Sequence, residues 1–291
     1  MAVQSRLFVI GAKGYIGRYL VDRAKSKFVV HETSSAGAAD AIHFQLAQPS
    51  SFNYANIQST DVFLLAAAIS SPDVCAKDHE YAWSVNVTGS SKFIAEVIAR
   101  RGRIIFFSSD AVYGERKAEC DELADCRPAG EYAAMKYEVE RRFHGHESFK
   151  SIRLSYVFSK EDKFTKYLIG CSERNEEAEL FHPFYRAVVC RADVVDGVLA
   201  LVQRWEEFPQ YVFNFGGPQL LSRVQYAECL QRMALPNLRF RVTEPDEAFF
   251  KNRPRTIAMS SPYLAQLLGR PVRTLCEAVG TEFGQPRLQE N

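Results

Sequence analysis

The sequence has 291 residues, 47% of them hydrophobic, enough to build one large domain or two unequal lobes. A net charge of +1 supplies neither a basic field for nucleic acid nor an acidic tail. Seven scattered cysteines, with no CxxC pair, HExxH or zinc-ligand spacing, point to reduced, mostly buried thiols and to no metal site.

In chain order, residues 7–10 form a short apolar run ending in glycine, as a central parallel strand does. The run is too short for a leader, and residues 62–69 are too short to cross a bilayer. No signal segment, no membrane contact and a cytoplasmic location are therefore expected. Ile16, Tyr19, Leu20 and Arg23 give residues 15–25 helical spacing, and strands follow at 28–30, 42–46 and 62–65. Residues 78–101 read as a long helical stretch broken near Thr88-Gly89, residues 103–107 as a strand, 132–143 as a helix and 151–157 as a strand. This alternation predicts an α/β fold, a doubly wound Rossmann sheet with helices on both faces, spanning 1–158. Beyond it, 160–190 reads as charged and irregular, 191–203 and 222–233 as helices, and 211–215 as a strand before a glycine turn. Residues 159–291 are expected to form a smaller substrate-binding lobe packed back on the first.

Gly11-Ala12-Lys13-Gly14-Tyr15-Ile16-Gly17 follows the first strand and opens the first helix. Gly11 permits the tight turn, Gly14 lets backbone approach a pyrophosphate, and Gly17 lets helix and strand pack closely. The helix N-terminus then offers N–H groups and a partial positive charge to phosphate. The pattern predicts a dinucleotide site on the 1–158 lobe.

A second constellation suggests what that dinucleotide does. The strand at 103–107 runs into Ser108-Ser109-Asp110-Ala111-Val112-Tyr113-Gly114, and Tyr132-Ala133-Ala134-Met135-Lys136 comes later. Tyr132 and Lys136 lie four apart, on one helix face. A tyrosine with an ordinary pKa near 10 becomes a usable acid at neutral pH when an ammonium stands beside it. Ser109, at the carboxyl end of a strand, is placed to hydrogen-bond a carbonyl, at the edge where open α/β sheets bind ligands. Ser109, Tyr132 and Lys136 are the expected catalytic set.

These motifs resemble the extended short-chain dehydrogenase/reductases, and the resemblance covers nearly the whole chain. Arg153-Leu154-Ser155-Tyr156-Val157-Phe158, Asn214-Phe215-Gly216-Gly217-Pro218 with Leu221-Ser222-Arg223, and Arg253-Pro254-Arg255 with Ser260-Ser261 resemble the dTDP-4-dehydrorhamnose reductase branch. The resemblance implies cofactor contacts from Gly11, Lys13, Gly14, Tyr15, Ile16, Gly17, Thr33, Ser34, Gln45, Leu46, Ala66, Ala67, Asn86, Tyr132, Lys136 and Val157. Asn86 matches a helix-kink asparagine, and Gln45-Leu46 stands where relatives carry Asp-Leu near the adenine. Lys13 resembles the basic residue that NADP-preferring relatives place against the 2′-phosphate, while hydroxyl residues occupy the tip where NAD binders carry an acid. NADP is the expected cofactor and NAD the alternative. Implied substrate contacts are Ser109, Asp110, Tyr113, Phe158, Tyr185 and Arg186, the arginine facing a diphosphate.

The implied activity is reduction of a nucleotide-linked 4-keto-6-deoxy sugar, with a homodimer as the expected assembly. Ala111, where nucleotide-sugar dehydratases carry Glu and epimerase/reductases a nearby Cys, disfavours both of those chemistries. Two alternatives stay open. One is a 4-epimerase that holds NAD tightly. The other is a non-catalytic regulatory subunit, since Ser71-Pro72-Asp73-Val74 resembles the methionine adenosyltransferase beta subunit.

Overall fold

The computed structural model describes residues 5–37 and 40–284, so the outer ends of both expected lobes lie outside the described residues. Its centre is a seven-stranded parallel sheet. β1 (Arg6–Ile10) sits between β2 (Val29–Ser34) and β4 (Val62–Leu65). β3 (Ile42–His43) extends the sheet beyond β2; β5 (Arg103–Ser109), then Phe149–Leu154, then Val212–Phe215 extend it beyond β4. β4 is buried along its whole length, as a parallel strand covered on both faces must be.

The two faces carry separate apolar clusters. On one, α1 (Tyr15–Ala24) supplies Leu20 and Val21 against Leu7, Val9 and Leu64 of the strands. On the other, α2 (Pro72–Lys77), α3 (His79–Trp83), α4 (Ser90–Ala99) and α5 (Glu131–Phe143) cover the sheet, with Phe93, Ile94 and Val97 packing on Phe8, Phe63 and Phe106. This is the doubly wound Rossmann-like arrangement the alternation predicted.

The long stretch expected at 78–101 is interrupted as anticipated, but by a π-helical segment over Ser84–Gly89 rather than by a break. The segment lets the chain turn its backbone where Leu46 passes: a side chain on Gly89 would lie 1.9 Å from the Leu46 carbonyl oxygen.

The expected lobe boundary at 158 is crossed. Helix α7 (Arg191–Gln203) packs in the same cluster as α1, and Val212–Phe215 completes the sheet beside Phe149–Leu154. A second, four-stranded sheet of Leu220–Ser222, Tyr185–Ala187, Thr256–Met259 and Arg116–Cys120 also draws on both sides of the boundary. Residues 160–190 are not irregular. Asp162 caps α6 (Lys163–Glu173) by accepting from the Phe164 and Thr165 amides, each at 2.9 Å, and Phe164, Leu168 and Cys171 form its buried stripe. Charges flanking that stripe, at 160–163 and 173–177, hid the period. α8 (Arg223–Met233) then packs on the helix Leu275–Phe283.

The thiols are not all free. Cys229 of α8 and Cys276 form a disulfide with Cα atoms 6.0 Å apart, whereas Cys75, Cys120, Cys126, Cys171 and Cys190 remain unpaired.

Candidate active site

The glycine turn is built as its sequence requires. Gly11 has φ +95°, and a side chain there would meet the Ala67 amide nitrogen at 2.8 Å. The chain after β4 folds onto this turn: the amides of Ala66 and Ala67 both donate to the Ile10 carbonyl, at 3.0 and 2.9 Å. A side chain on Gly17 would lie 2.2 Å from the Gly11 carbonyl oxygen, so α1 can meet the strand only with glycine there. Gly14 is the N-cap of α1 and provides no side-chain cap, while Asp162 and Ser222 cap their helices with side chains. The first-turn amides of α1 are thus left for an anion, which is what a dinucleotide pyrophosphate needs. Ile16 packs inward against the adjoining cluster.

Around this cradle several expected contacts take structural positions. Thr33 is buried, and its hydroxyl accepts from the Gly11 amide at 3.3 Å and donates to the Val9 carbonyl at 3.2 Å. Ser34, also buried, accepts from the Ala36 amide. Glu32 is bridged by Lys13 at 2.8 Å and Lys25 at 3.2 Å; hydrogen bonding to Lys13 holds its carboxyl below the usual range. Gln45 donates to the Ser35 carbonyl at 3.1 Å and joins the two loops at this end of the sheet, with Leu46 buried beside it. Asn86, in the π-helical segment, pairs with both backbone groups of Ile69: it accepts from the amide at 2.8 Å and donates to the carbonyl at 2.9 Å. Tyr15 reaches the opposite loop, where its hydroxyl meets Ser159 Oγ at 2.8 Å and the Val157 carbonyl at 3.2 Å.

The expected catalytic set lies at the carboxyl end of β5. Ser109 ends the strand, and its Oγ accepts from the Ala111 amide at 3.2 Å. Lys136 is buried and donates through Nζ to the Phe107 carbonyl at 2.7 Å, which pins α5 across β5. The same Nζ lies 5.8 Å from the Tyr132 ring centroid. α5 also packs on the 3₁₀ turn Asp110–Tyr113 that follows Ser109. Burial pushes Lys136 down to about 8, against the opposing pull of Glu140. Burial raises Tyr132 above its ordinary value, and Cys75 and Asp110 add to the rise. The tyrosine is therefore neutral here, the form that can donate a proton. The lowering expected from the neighbouring ammonium is not found: burial, Cys75 and Asp110 all act upward.

Of the expected substrate contacts, Ser109, Asp110 and Arg186 come together. Asp110 is buried: Ser155 donates to it at 2.8 Å, Ser109 Oγ lies at 3.3 Å and Arg186 Nε at 3.8 Å. Arg186 also donates to the backbone carbonyls of Tyr185 at 2.6 Å and Pro254 at 2.8 Å. Tyr185 is half-buried in the second sheet beside it. Tyr113 and Phe158, two more of the expected substrate contacts, have no exposed surface. The turn after β5 directs Tyr113 inward, where its hydroxyl meets Asn214 Oδ1 at 2.7 Å and accepts from Arg153 at 2.9 Å. Phe158 packs on Tyr226 in a separate apolar cluster with Phe164 and Leu168.

Two arginines that bear on this region went unassigned as ligands in the sequence. Arg253 pairs through both terminal nitrogens with Asp73, at 2.8 and 2.5 Å, and ties the C-terminal part of the chain to α2. Arg223 begins α8, where a cation opposes the helix dipole; that unfavourable position was its sequence signal. Among the described residues no three His, Cys, Asp or Glu side chains gather as a metal site, and no helix is long and apolar enough to cross a membrane.

The model of the NAD dependent epimerase/dehydratase family matches residues 7–216. No curated protein matches the sequence. Among solved structures, the dTDP-4-dehydrorhamnose reductase of Bacillus anthracis, in complex with NADP, superposes with a TM-score of 0.81 at 18% identity, covering 98% of this chain and 100% of that one. The UDP-glucuronic acid 4-epimerase of Bacillus cereus, with NAD and a fluorinated UDP-sugar, gives 0.81 at 17% identity, covering 96% and 98%. MoeE5 in complex with UDP-glucose and NAD gives 0.80 at 19%, covering 96% and 98%. At these identities the likeness is one of fold.

Proposed function

The chain belongs to the NAD dependent epimerase/dehydratase family, and from that membership we propose that it is an NAD(P)-dependent enzyme of nucleotide sugars. More specifically, we propose an NADPH-dependent reductase of a nucleotide-linked 4-keto-6-deoxy sugar. The observation that carries the reading is the Lys136–Phe107 hydrogen bond, which sets the Tyr132/Lys136 face of α5 across the strand end that presents Ser109. The fold neighbours that bind UDP-sugars, or that act as dTDP-4-dehydrorhamnose reductases, support the substrate class.

Gly11, Gly14 and Gly17 with the uncapped start of α1 fit a dinucleotide pyrophosphate. Two lysines against one glutamate leave surplus positive charge beside β2, and Thr33 stands without a carboxylate at the strand's end. Both features favour the extra phosphate of NADP over NAD. A reduced nicotinamide, when bound, supplies a hydride to the carbonyl carbon. The chain's own residues do the rest. Ser109 Oγ donates to the carbonyl oxygen and orients it. Tyr132 gives its proton to the oxygen as charge develops there. Lys136, protonated, stabilises the tyrosinate that remains.

A 4-epimerase is the second reading, favoured by the likeness to the B. cereus epimerase. An absorbance assay with NADPH or NADH, and a panel of dTDP- and GDP-linked 4-keto-6-deoxy sugars, separates the two. Substrate-dependent loss of NADPH absorbance supports the reductase. No loss of absorbance with any 4-keto sugar, together with C4-inverted product from a 4-hydroxy substrate such as UDP-glucose or UDP-glucuronic acid, overturns it in favour of the epimerase.

A further inference from the structure

Cys229 and Cys276 join two helices that other contacts already hold together. Ala227 and Leu230 of α8 share one buried apolar cluster with Leu275, Ala278 and Val279 of the helix Leu275–Phe283. Upstream, Asp193 of α7 accepts from Arg270 at 2.5 Å and from the Arg273 amide at 2.9 Å, which fixes the chain where it enters that helix. Burial and ion pairing therefore dock the helix start whether or not the sulfurs are joined.

The pair is open to thiol chemistry. Cys276 is half-buried, Cys229 is buried behind it, and exposed Arg232 places Nη2 3.1 Å from Cys276 Sγ. A guanidinium there stabilises negative charge on sulfur, which Cys276 carries both when it attacks a disulfide and when it leaves one. Cys75, Cys120, Cys171 and Cys190 are buried and offer no such opening.

The same helix reaches the candidate dinucleotide cradle. Glu282, near its far end, accepts from the Lys160 amide at 3.3 Å, and its charge bears on Tyr15, Tyr19 and Arg191. Lys160 follows Ser159, whose Oγ lies 2.8 Å from the hydroxyl of Tyr15, the first residue of α1. Arg191 lies over the Tyr15 and Tyr19 rings, at 5.1 and 4.5 Å, and pairs with Glu161 at 2.5 Å. One end of the helix carries the cross-link, and the other steadies the loop against which Tyr15 rests.

We propose that Cys229 and Cys276 form a reversible thiol–disulfide switch that fastens the helix Leu275–Phe283 to α8 and, through Glu282 and the 159–161 loop, tightens the dinucleotide cradle when closed. The second half rests on the dinucleotide reading of the glycine turn. The oxidant is a small-molecule disulfide such as oxidised glutathione. Cys276, as thiolate, attacks one of its sulfurs and expels one glutathione thiolate. Cys229 then gives up its proton, attacks the Cys276 sulfur of the mixed disulfide and expels the second. Two cysteine thiols become one disulfide, and one glutathione disulfide becomes two thiols that take up the two protons. Excess reduced glutathione runs the exchange backwards.

The test equilibrates the full chain in mixtures of reduced and oxidised glutathione, traps thiols by alkylation and maps them by mass spectrometry. NADPH affinity and amide hydrogen exchange over 275–283 are measured in each state. Wild type should cycle with the glutathione ratio, and its oxidised form should bind NADPH about fivefold or more tightly than its reduced form, with slower exchange in the helix. Cys276→Ser should match reduced wild type at every ratio, and Arg232→Gln should oxidise about threefold more slowly. A pair that stays thiol or stays disulfide at every ratio overturns the proposal, as does cycling that changes neither helix exchange nor affinity. Changed helix exchange with unchanged NADPH affinity overturns the link to the cradle. Redox-dependent helix exchange in a chain that binds no dinucleotide supports the switch and overturns the dinucleotide reading.

Discussion

Lys136 Nζ donates to the Phe107 carbonyl at 2.7 Å, so the helix carrying the candidate proton donor is fastened to the strand that presents Ser109. This bond makes the site sensitive to pH in two ways. With its pKa lowered to about 8, Lys136 loses its charge just above neutrality. Turnover should therefore fall as pH rises through about 8. The stability effect has the opposite sign. Lys136 and Lys150, both pushed down to about 8 by burial, have folded values below the unfolded value near 10.5. Between about pH 8 and 10.5 the unfolded chain binds more protons, so raising the pH through that window stabilises the fold with respect to these groups. Urea midpoints across it should rise less steeply in Lys136→Met than in wild type. Identical slopes would remove Lys136 as the titrating group.

The glycine turn makes a sharper structural prediction. Gly17→Ala drives a methyl to 2.2 Å from the Gly11 carbonyl oxygen, where backbone rather than a flexible side chain must yield. The expected cost is about 1–3 kcal/mol of stability, together with loss of dinucleotide binding. Urea denaturation and fluorescence titration with NADPH check both. A variant as stable as wild type with intact affinity would contradict the packing described here.

Tyr113 tests the division between core and site. Its hydroxyl serves Asn214 and Arg153, and Arg153 in turn is held by Glu140 at 2.7 Å with both side chains almost fully buried. Glu140→Gln leaves a buried guanidinium without its counter-charge and should cost about 3–5 kcal/mol. Tyr113→Phe should cost about 1–3 kcal/mol while turnover stays within twofold. Collapse of turnover in Tyr113→Phe at unchanged stability would return Tyr113 to the substrate pocket.

The sequence revealed what local physics controls. The glycine turn was legible because Gly11 and Gly17 stand where any side chain collides with backbone. α7 was legible because nothing broke its apolar period. α6 was missed because charged runs at 160–163 and 173–177 flank its short buried stripe, and only the Asp162 cap marked its start. The pairing across residue 158 was not legible because strand pairing is non-local: nothing near residues 212–215 announces that they pair with 151–154. The burial of Thr33, Tyr113 and Phe158 escaped for a related reason. Residue type suggested polar or aromatic contacts to ligands, while burial, which decides, depends on how distant segments pack. Arg223 carried a signal, a cation at a helix start, that makes physical sense only once Phe164, Phe181 and Phe184 surround it.

In the proposed mechanism Tyr132 donates the proton to a carbonyl held by Ser109. Its most direct test is Tyr132→Phe, assayed for single-turnover reduction with NADPH and the best substrate of the panel, alongside calorimetric affinity for that substrate's nucleoside diphosphate. Turnover should fall about 10²–10⁴-fold with affinity unchanged. Turnover near that of wild type would contradict it.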